Sequence, residues 1–226
     1  MPDMRQLLRD AYTCSRCPRN FGFGISPNGS YFKFPPLIGA NRQADILFVG
    51  INPRRSSSNH GLHHTLMTSK QAFADLASNR IQGAAYIHPS SQESHYHDHL
   101  VIIREVFGDA RSFESCAAVT ELFLCATCKS KFLPNPESPC AEHFLPKVLN
   151  IIQPKVIVAV GSRVMNYFKT KHSKRLANDE FAIILDHHDF AVLKMPHPGN
   201  PVLSESQRRS QLNICIRKLR KYLGNS

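Results

Sequence analysis

The sequence lacks any apolar run long enough to cross a membrane, and its first ten residues, MPDMRQLLRD, lack the apolar core of a secretory signal. It also lacks an internal repeat and an interdomain linker. These absences lead us to expect a soluble intracellular protein with no membrane partner. With 226 residues, 42% of them hydrophobic, the chain can bury one substantial core, and we predict a single domain over residues 1–226.

Acidic residues are few. Seventeen Asp and Glu stand against 28 Lys and Arg, which gives a formal net charge of +11. Such a balance attracts polyanions, nucleic acid among them. The alternative is a basic protein that is merely soluble.

The most informative stretch is ADILFVGINPRRSSSNHG, residues 44–61. The continuous apolar run ILFV within it is typical of a strand buried on both faces of a parallel sheet. Gly50 allows a tight turn and Pro53 prevents further strand pairing, so the Asn52 side chain should project beyond the C-terminal end of the strand. Ligands of open α/β sheets bind at that edge. An ordinary exit from a strand into a loop is the alternative.

Two further stretches are predicted to be buried strands, Val119–Leu124 and Pro154–Gly161, and the second contains a continuous run of Val and Ile. With the helical patterns between them, they indicate an α/β protein with a mainly parallel sheet. Additional strands are predicted at Phe181–Leu185 and Phe190–Met195. The predicted helices are Met4–Tyr12, Thr65–Leu76, Leu100–Phe107, Ala141–Ile152, Ser162–Thr170 and a last one that begins at a capping box of Ser204 and Gln207.

The chain has seven cysteines. In an intracellular protein they favour ligation of a metal or an iron-sulfur cluster over a framework of disulfides. Cys14 and Cys17 form a C-x2-C pair, a spacing that lets two thiolates bind one metal centre from a single turn. Three more, Cys125, Cys128 and Cys140, lie in a proline-rich segment after the second predicted strand.

A histidine-rich segment, HYHDH, contains His95, His97 and His99 around Asp98. Alternate residues can present three imidazoles to one metal only if the segment is extended. A metal-dependent hydrolase that uses these residues is therefore one hypothesis. A solvated or DNA-facing loop is the other.

Several features occur together along nearly the whole chain: a cysteine pair ahead of the GINP turn at Gly50–Pro53, a cysteine segment after the second strand, the strand PKVIVAVG, and a loop MPHPGNP that carries His197. This combination resembles the uracil-DNA glycosylase superfamily. The GINP motif is most similar to the mismatch-specific thymine/uracil branch, and the cysteine layout to the iron-sulfur branch. The resemblance implies a three-layer α/β/α sandwich with a central, mainly parallel sheet, and we expect a monomer.

The resemblance also implies a cofactor. In the iron-sulfur branch, a cysteine pair near the N-terminus and two cysteines that flank a proline-containing loop hold a four-iron four-sulfur cluster. On this pattern the ligands are Cys14, Cys17, Cys125 and Cys140. The alternative is a structural zinc ion held by two C-x2-C pairs, with Cys128 in place of Cys140.

The activity implied by the resemblance is that of a monofunctional DNA glycosylase of base excision repair. Such an enzyme hydrolyses the N-glycosidic bond of an extruded uracil or related damaged base. The amide of Asn52 would position the attacking water, and His197 would donate a hydrogen bond to the departing base. The expected partner is DNA that contains a deaminated or damaged base, which in a bacterium lies in the nucleoid.

The base pocket implied by the resemblance contains Ile51, His64 and Glu121. Several branches of the family have an Asn near the position of Glu121, where it reads the uracil edge. An ionised carboxylate can only accept hydrogen bonds. Either Glu121 is protonated, another residue reads the base, or the preferred substrate is not plain uracil.

Basic residues near the rim of this pocket are expected to bind DNA phosphates with little sequence preference: Arg54, Arg55, Arg208 and Arg209. Two further positions depart from the family pattern, Arg54 where a Gly is frequent and Gly199 where a Ser is usual. Together with Glu121, these departures leave a second hypothesis open. It is a catalytically degenerate nucleic-acid-binding protein on the same fold.

Overall fold

The computed structural model describes residues 4–16, 32–33, 38–39, 43–51, 67–68, 97–125, 139–171, 173–175, 181–185, 188–198 and 202–224. The strands are β1 (Phe32–Lys33), β2 (Ile38–Gly39), β3 (Ile46–Gly50), β4 (Met67–Thr68), β5 (Ala117–Glu121), β6 (Val156–Val160), β7 (Ser173–Arg175), β8 (Phe181–Leu185) and β9 (His188–Met195). The helices are α1 (Met4–Thr13), α2 (His97–Phe107), α3 (Phe113–Cys116), α4 (Pro139–Ile152), α5 (Ser162–Lys171) and α6 (Glu205–Leu223).

Seven strands form the main sheet in the order β2-β5-β3-β6-β9-β8-β7. The four central strands, β5, β3, β6 and β9, are all parallel to one another, and the outer strands are antiparallel to their neighbours. β3 and β6 are buried along their whole length and appear in the sequence as unbroken apolar runs, whereas β5, which is also buried, ends in Thr120 and Glu121. The predicted parallel centre is confirmed.

Helices cover both faces of this sheet and enclose two apolar cores. One core packs α1, α4 and α5 against Leu47, Val49 and Ile157. The other packs α2, α3 and α6 against Ile46, Phe48 and Val158. Alternate side chains of each strand therefore enter opposite cores, which is the three-layer α/β/α arrangement expected from the sequence. None of the helices that the structure describes is long and apolar enough to span a membrane.

The parallel pairing aligns the ends of the four central strands. Gly50 of β3 pairs with Glu121 of β5, and Val160 of β6 pairs with Met195 of β9. Val49 pairs with Ala159, so Gly50 and Val160 are level as well. We call this row of Gly50, Glu121, Val160 and Met195 the C-terminal edge. All four chain segments leave the sheet there, so side chains from distant parts of the sequence meet at one place.

Two sequence predictions are wrong in the described part of the chain. His97, Asp98 and His99 form the first turn of helix α2 rather than an extended segment, so alternate residues do not share a face. His99 is buried with its ring 4.5 Å from that of Phe48, a tertiary contact that a local pattern does not reveal. Met67–Thr68 is a strand paired with β1 rather than part of a helix, and the rest of the helix predicted over Thr65–Leu76 lies outside the described residues.

Helix α6 begins as the sequence predicts. The Ser204 hydroxyl accepts a hydrogen bond from the Gln207 backbone N–H, and the Gln207 side-chain oxygen accepts one from the Ser204 N–H. The buried face of this helix places Leu212, Ile216 and Leu219 in the core. This capping box fixes where the loop after β9 enters the helix.

We expect Ser204→Ala to lower the free energy of unfolding by about 1 kcal/mol, because the variant leaves N-terminal amides of α6 without an acceptor. Urea denaturation at neutral pH measures this change. Ser210→Ala, an exposed position in the interior of the same helix, is the matched control and should have little effect. An equal loss in both variants would contradict the role of the cap.

Candidate active site

The backbone beyond β3 is held in place at the C-terminal edge. The Leu122 N–H donates to the Gly50 carbonyl at 2.9 Å, and the Phe123 N–H donates to the Ile51 carbonyl at 3.0 Å. These bonds extend the β3–β5 pairing past the strands themselves. Ile51 is half-buried and packs against the core. The chain therefore leaves the sheet in a defined direction at Ile51.

Four predicted site residues follow Ile51 and lie outside the described residues: Asn52, Arg54, Arg55 and His64. Asn52 is the residue directly after Ile51. Its role, and those of the other three residues, stay predictions.

The Glu121 side chain occupies the space above Gly50. A Cβ atom on residue 50 would clash with Glu121 Oε2 and lie 2.6 Å from its Cδ, so the carboxyl group can take this position only over a glycine. Glu121 is 8% exposed, and within the described residues its Oε2 atom has no hydrogen-bond partner. Burial raises the pKa of Glu121 from its ordinary value of 4.5 to about 8. The carboxyl group is therefore mostly neutral at pH 7.

Other buried polar groups lie on the same face of the sheet. Side chains alternate along a strand, so Glu121 shares its face with Val119, against which α2 and α6 pack. Asp98 and His99, in the first turn of α2, are 4% and 2% exposed. The contact of His99 with Phe48, two residues before Gly50, places this turn near the C-terminal edge.

His197 follows β9 by two residues and is packed against the neighbouring strand exit. Gly161, directly after β6, has φ of +87° and donates its N–H to the Met195 carbonyl at 2.9 Å. A Cβ on residue 161 would lie 3.2 Å from the Cβ of His197. Glycine thus provides both the left-handed backbone and the room for His197. The half-buried imidazole therefore lies at the C-terminal edge, and its role stays a prediction.

Residues around α6 support the loop that carries His197. The Arg208 guanidinium donates to the Pro198 carbonyl at 3.3 Å, so it ties the helix to this loop. Arg209 is exposed. Val202 is 84% exposed, although it is apolar and lies between the loop and the cap of α6. The sequence analysis did not single out Val202, because in the sequence it is only a lone valine among turn residues.

Three of the four predicted cluster ligands line one small cavity. Cys14, Cys125 and Cys140 surround it, together with Arg16 and Phe144. The Leu124 N–H donates to the Cys140 sulfur at 3.3 Å. Cys17 and Cys128 lie outside the described residues. In the part of the chain that is described, no three His, Cys, Asp or Glu side chains form a group that could hold a metal ion.

An ion pair braces the helices on either side of this cysteine cavity. Lys147 of α4 donates to the Asp10 carboxylate of α1 at 2.8 Å, and this bond lowers the pKa of Asp10. Cys14 directly follows α1 and Cys140 is the second residue of α4. The ion pair therefore helps to set the separation of the two thiols. The other two described cysteines, Cys116 and Cys215, are buried in the core on the opposite face.

The raised pKa of Glu121 predicts a specific dependence of stability on pH. The folded state holds this proton more tightly than the unfolded state, so the free energy of unfolding should fall as pH rises from about 4.5 to about 8. The fall should be at most about 1.4 kcal/mol per pH unit. Glu121→Gln, a neutral side chain of the same shape, should remove this component in urea denaturation. Glu142→Gln, at an exposed position of α4, should retain this pH-dependent component. Parallel curves of the free energy of unfolding against pH for Glu121→Gln and the wild type would contradict the assignment.

Comparison with known proteins identifies the family of this chain. A family model described as the Uracil DNA glycosylase superfamily matches residues 38–220, a span from β2 to the last turns of α6. A search of curated proteins found no match. The matched span contains Gly50, Glu121, Gly161 and His197 and leaves out Cys14. The chain belongs to the uracil DNA glycosylase superfamily, whose members generally hydrolyse N-glycosyl bonds in the repair of DNA.

Proposed function

We propose that this protein is a monofunctional DNA glycosylase that hydrolyses the N-glycosidic bond of an extruded, deaminated base such as uracil. The observation that carries the proposal is the C-terminal edge, where the chain segment leading into Asn52 and the loop of His197 leave the same parallel sheet. One strand, β6, separates β3 from β9. Neighbouring strands lie roughly 5 Å apart, so the two exits are about 10 Å apart, which leaves room for a nucleotide between them.

The chemistry requires two groups on opposite sides of the sugar and base. A base within a duplex cannot be reached, so the nucleotide must first be extruded into a pocket. The sugar then develops oxocarbenium character while negative charge grows on the departing base. In our proposal, the Asn52 amide positions the water that attacks the sugar. His197 donates a hydrogen bond to an oxygen of the leaving base.

A neutral imidazole is sufficient for the role we give His197. A donor that is already aimed at the developing charge stabilises the transition state without reorganisation, most effectively where water is excluded. The packing of His197 against Gly161 and the bond from Arg208 to Pro198 both support such an orientation. We therefore assign Arg208 two roles, which are to position the loop of His197 and to bind a DNA phosphate. A guanidinium has five N–H donors, so it can bind a carbonyl and a phosphate together.

The DNA surface in this proposal lies around the same edge. Arg54, Arg55, Arg208 and Arg209 bind phosphates, so affinity should fall steeply with salt and depend little on sequence. We assign Val202 to the gap left by the extruded base. Apolar side chains that enter a base step stabilise the unstacked duplex, and the exposure of Val202 next to the His197 loop suits that role. Ile51, His64 and Glu121 form the base pocket.

The cysteine cavity supports the proposed four-iron four-sulfur cluster. Cys14, Cys125 and Cys140 face one cavity, while the Leu124 amide and the Arg16 cation can offset the charge of thiolates. Each thiolate of such a cluster binds a different iron atom, so the sulfurs stand further apart than around a single zinc ion. Cys17 would be the fourth ligand, and the bound cluster would join α1 to the segment after β5.

We expect Asn52→Ala and His197→Ala each to slow base release by about a hundredfold or more, because each removes an interaction made in the transition state. Oligonucleotide duplexes that each carry one modified base, followed by alkaline cleavage, measure the rate. Binding to the same duplexes should change little. Asn213→Ala, at an exposed position of α6, is the control and should act like the wild type.

The outcome that would contradict this proposal is wild-type turnover in the Asn52 and His197 variants. Salt-sensitive binding by the wild type with no abasic product on any duplex would instead establish the degenerate binding protein. The same set of duplexes also identifies which modified base the enzyme releases.

The cluster assignment predicts that freshly purified protein absorbs visible light and contains iron and acid-labile sulfide. Cys140→Ala should abolish the absorbance, since it removes a ligand. Cys215→Ala should retain it, because burial raises the pKa of the Cys215 thiol to about 12 and its side chain lies in the other core. A colourless protein that contains zinc, and that loses the metal in Cys128→Ala, would establish the zinc alternative.

A further inference from the structure

We propose that Asp98 is the general base of the reaction, the carboxylate that accepts a proton from the attacking water. The inference rests on the proposed function for the presence of a nucleotide at the C-terminal edge. It adds a group that the proposed chemistry still needs. The amide of Asn52 can orient a water molecule, but an amide is too weak a base to take a proton from that water.

The direction of helix α2 brings its first turn to the C-terminal edge. Near the start of the helix, the ring of His99 lies 4.5 Å from that of Phe48, two residues before the end of β3. Beyond the end of the helix, Arg111 pairs with Asp45 at 2.6 Å, and Asp45 directly precedes β3. The helix therefore runs antiparallel to β3, and it begins at the level where β3 ends.

The Asp98 side chain belongs to the buried face of this helix. Asp98 lies one turn before Ile102, which is fully buried in the core that α2 shares with β3. Side chains of an α-helix tilt toward its N-terminus. The carboxyl group is therefore directed out of the apolar core toward the end of β3, from which the chain continues to Asn52.

The hydrogen bonding of Asp98 points to a ligand. The residue is 4% exposed, and its Oδ2 atom has no hydrogen-bond partner within the part of the chain that the structure describes. A buried carboxyl oxygen without a hydrogen bond is costly, so most such atoms in native proteins are paired. A water molecule held beneath an extruded sugar would supply this bond.

Two buried carboxyl groups near this edge differ in how well they suit a base. Burial raises the pKa of Glu121 to about 8, so this group is mostly protonated at pH 7 and cannot accept a further proton. Asp98 lies in the first turn of an 11-residue helix, where free N–H groups and the helix dipole stabilise negative charge. We therefore assign the base to Asp98.

The proposed step conserves atoms and charge. The bond between C1′ of the sugar and the nitrogen of the base breaks, and its electron pair leaves with the base. The water oxygen bonds to C1′ and gives one proton to Asp98 Oδ2. His197 donates a hydrogen bond to the departing base anion. The base then takes a proton from solvent and Asp98 returns its proton to solvent, which completes the hydrolysis.

A binding experiment tests whether a negative charge faces the sugar. The probes are two duplexes, identical except that one has a cationic pyrrolidine ring and the other a neutral tetrahydrofuran ring in place of one sugar. The pyrrolidine imitates the charge of the oxocarbenium ion, and neither ring carries a base that could be released. Fluorescence anisotropy gives the ratio of the two affinities for the complete wild-type protein and its variants.

We expect the wild type to prefer the pyrrolidine duplex and Asp98→Asn to lose about tenfold of that preference, because the amide carries no charge. Asp109→Asn is the matched control. It removes the same charge from an exposed position just beyond the other end of α2, so it should keep the preference. If Asp98→Asn fails to fold, Asp98→Ala replaces it, since alanine buries no polar group.

A kinetic experiment tests the proton transfer itself. Asp98→Ala should release uracil from a duplex at least about a hundredfold more slowly than the wild type in single turnovers. Sodium formate, a small carboxylate that fits the space left by the side chain, should restore part of this rate. Sodium chloride at the same concentration should not, and formate should leave the wild-type rate unchanged.

The role of Asp98 is overturned if Asp98→Asn keeps the wild-type ratio of affinities, or if formate and chloride act equally on Asp98→Ala. A side chain that only supports the start of α2 would slow release without changing either readout. Release of uracil by the wild type with an unchanged ratio in Asp98→Asn would reject this role alone. No release from any duplex by the wild type would reject the proposed glycosylase and the proton transfer together.

Discussion

The parallel pairing of four central strands is the constraint on which the candidate site depends. Gly50, Glu121, Val160 and Met195 stand level because the strands pair in one register, and both faces of the sheet are buried. A slip of one residue would turn every side chain of a strand into the opposite core. The cores thus fix the register. The register in turn places the exits of β3 and β9 at the same edge of the sheet, with β6 between them.

The segment that follows β5 links the candidate site to the cysteine cavity. Glu121, which we assign to the base pocket, is four residues before Cys125, and the residues between them are buried. This short stretch is bonded to Gly50 and Ile51 on one side and to the Cys140 sulfur on the other. In our account a cluster in the cavity would hold the floor of the base pocket rigid. It would need no redox chemistry to do so.

The sequence predicted the features that local patterns determine. Unbroken apolar runs revealed β3 and β6, and Ser204 with Gln207 revealed the start of α6. Features that depend on contacts between distant residues were missed. The polar segment HYHDH does not indicate that a helix begins at His97, because the burial of His99 against Phe48 is a tertiary contact. The position of Glu121 over Gly50 was equally invisible, since it follows from the pairing of two strands far apart in the chain.

A crystal structure of the Asn52→Ala variant bound to a duplex with one uracil tests the central claim most directly. We predict an extruded uracil at the C-terminal edge, with His197 about 3 Å from an oxygen of the base and the Glu121 carboxyl group in the wall of its pocket. A base bound on another surface would contradict the account. So would a complex in which His197 and Glu121 both face away from the uracil.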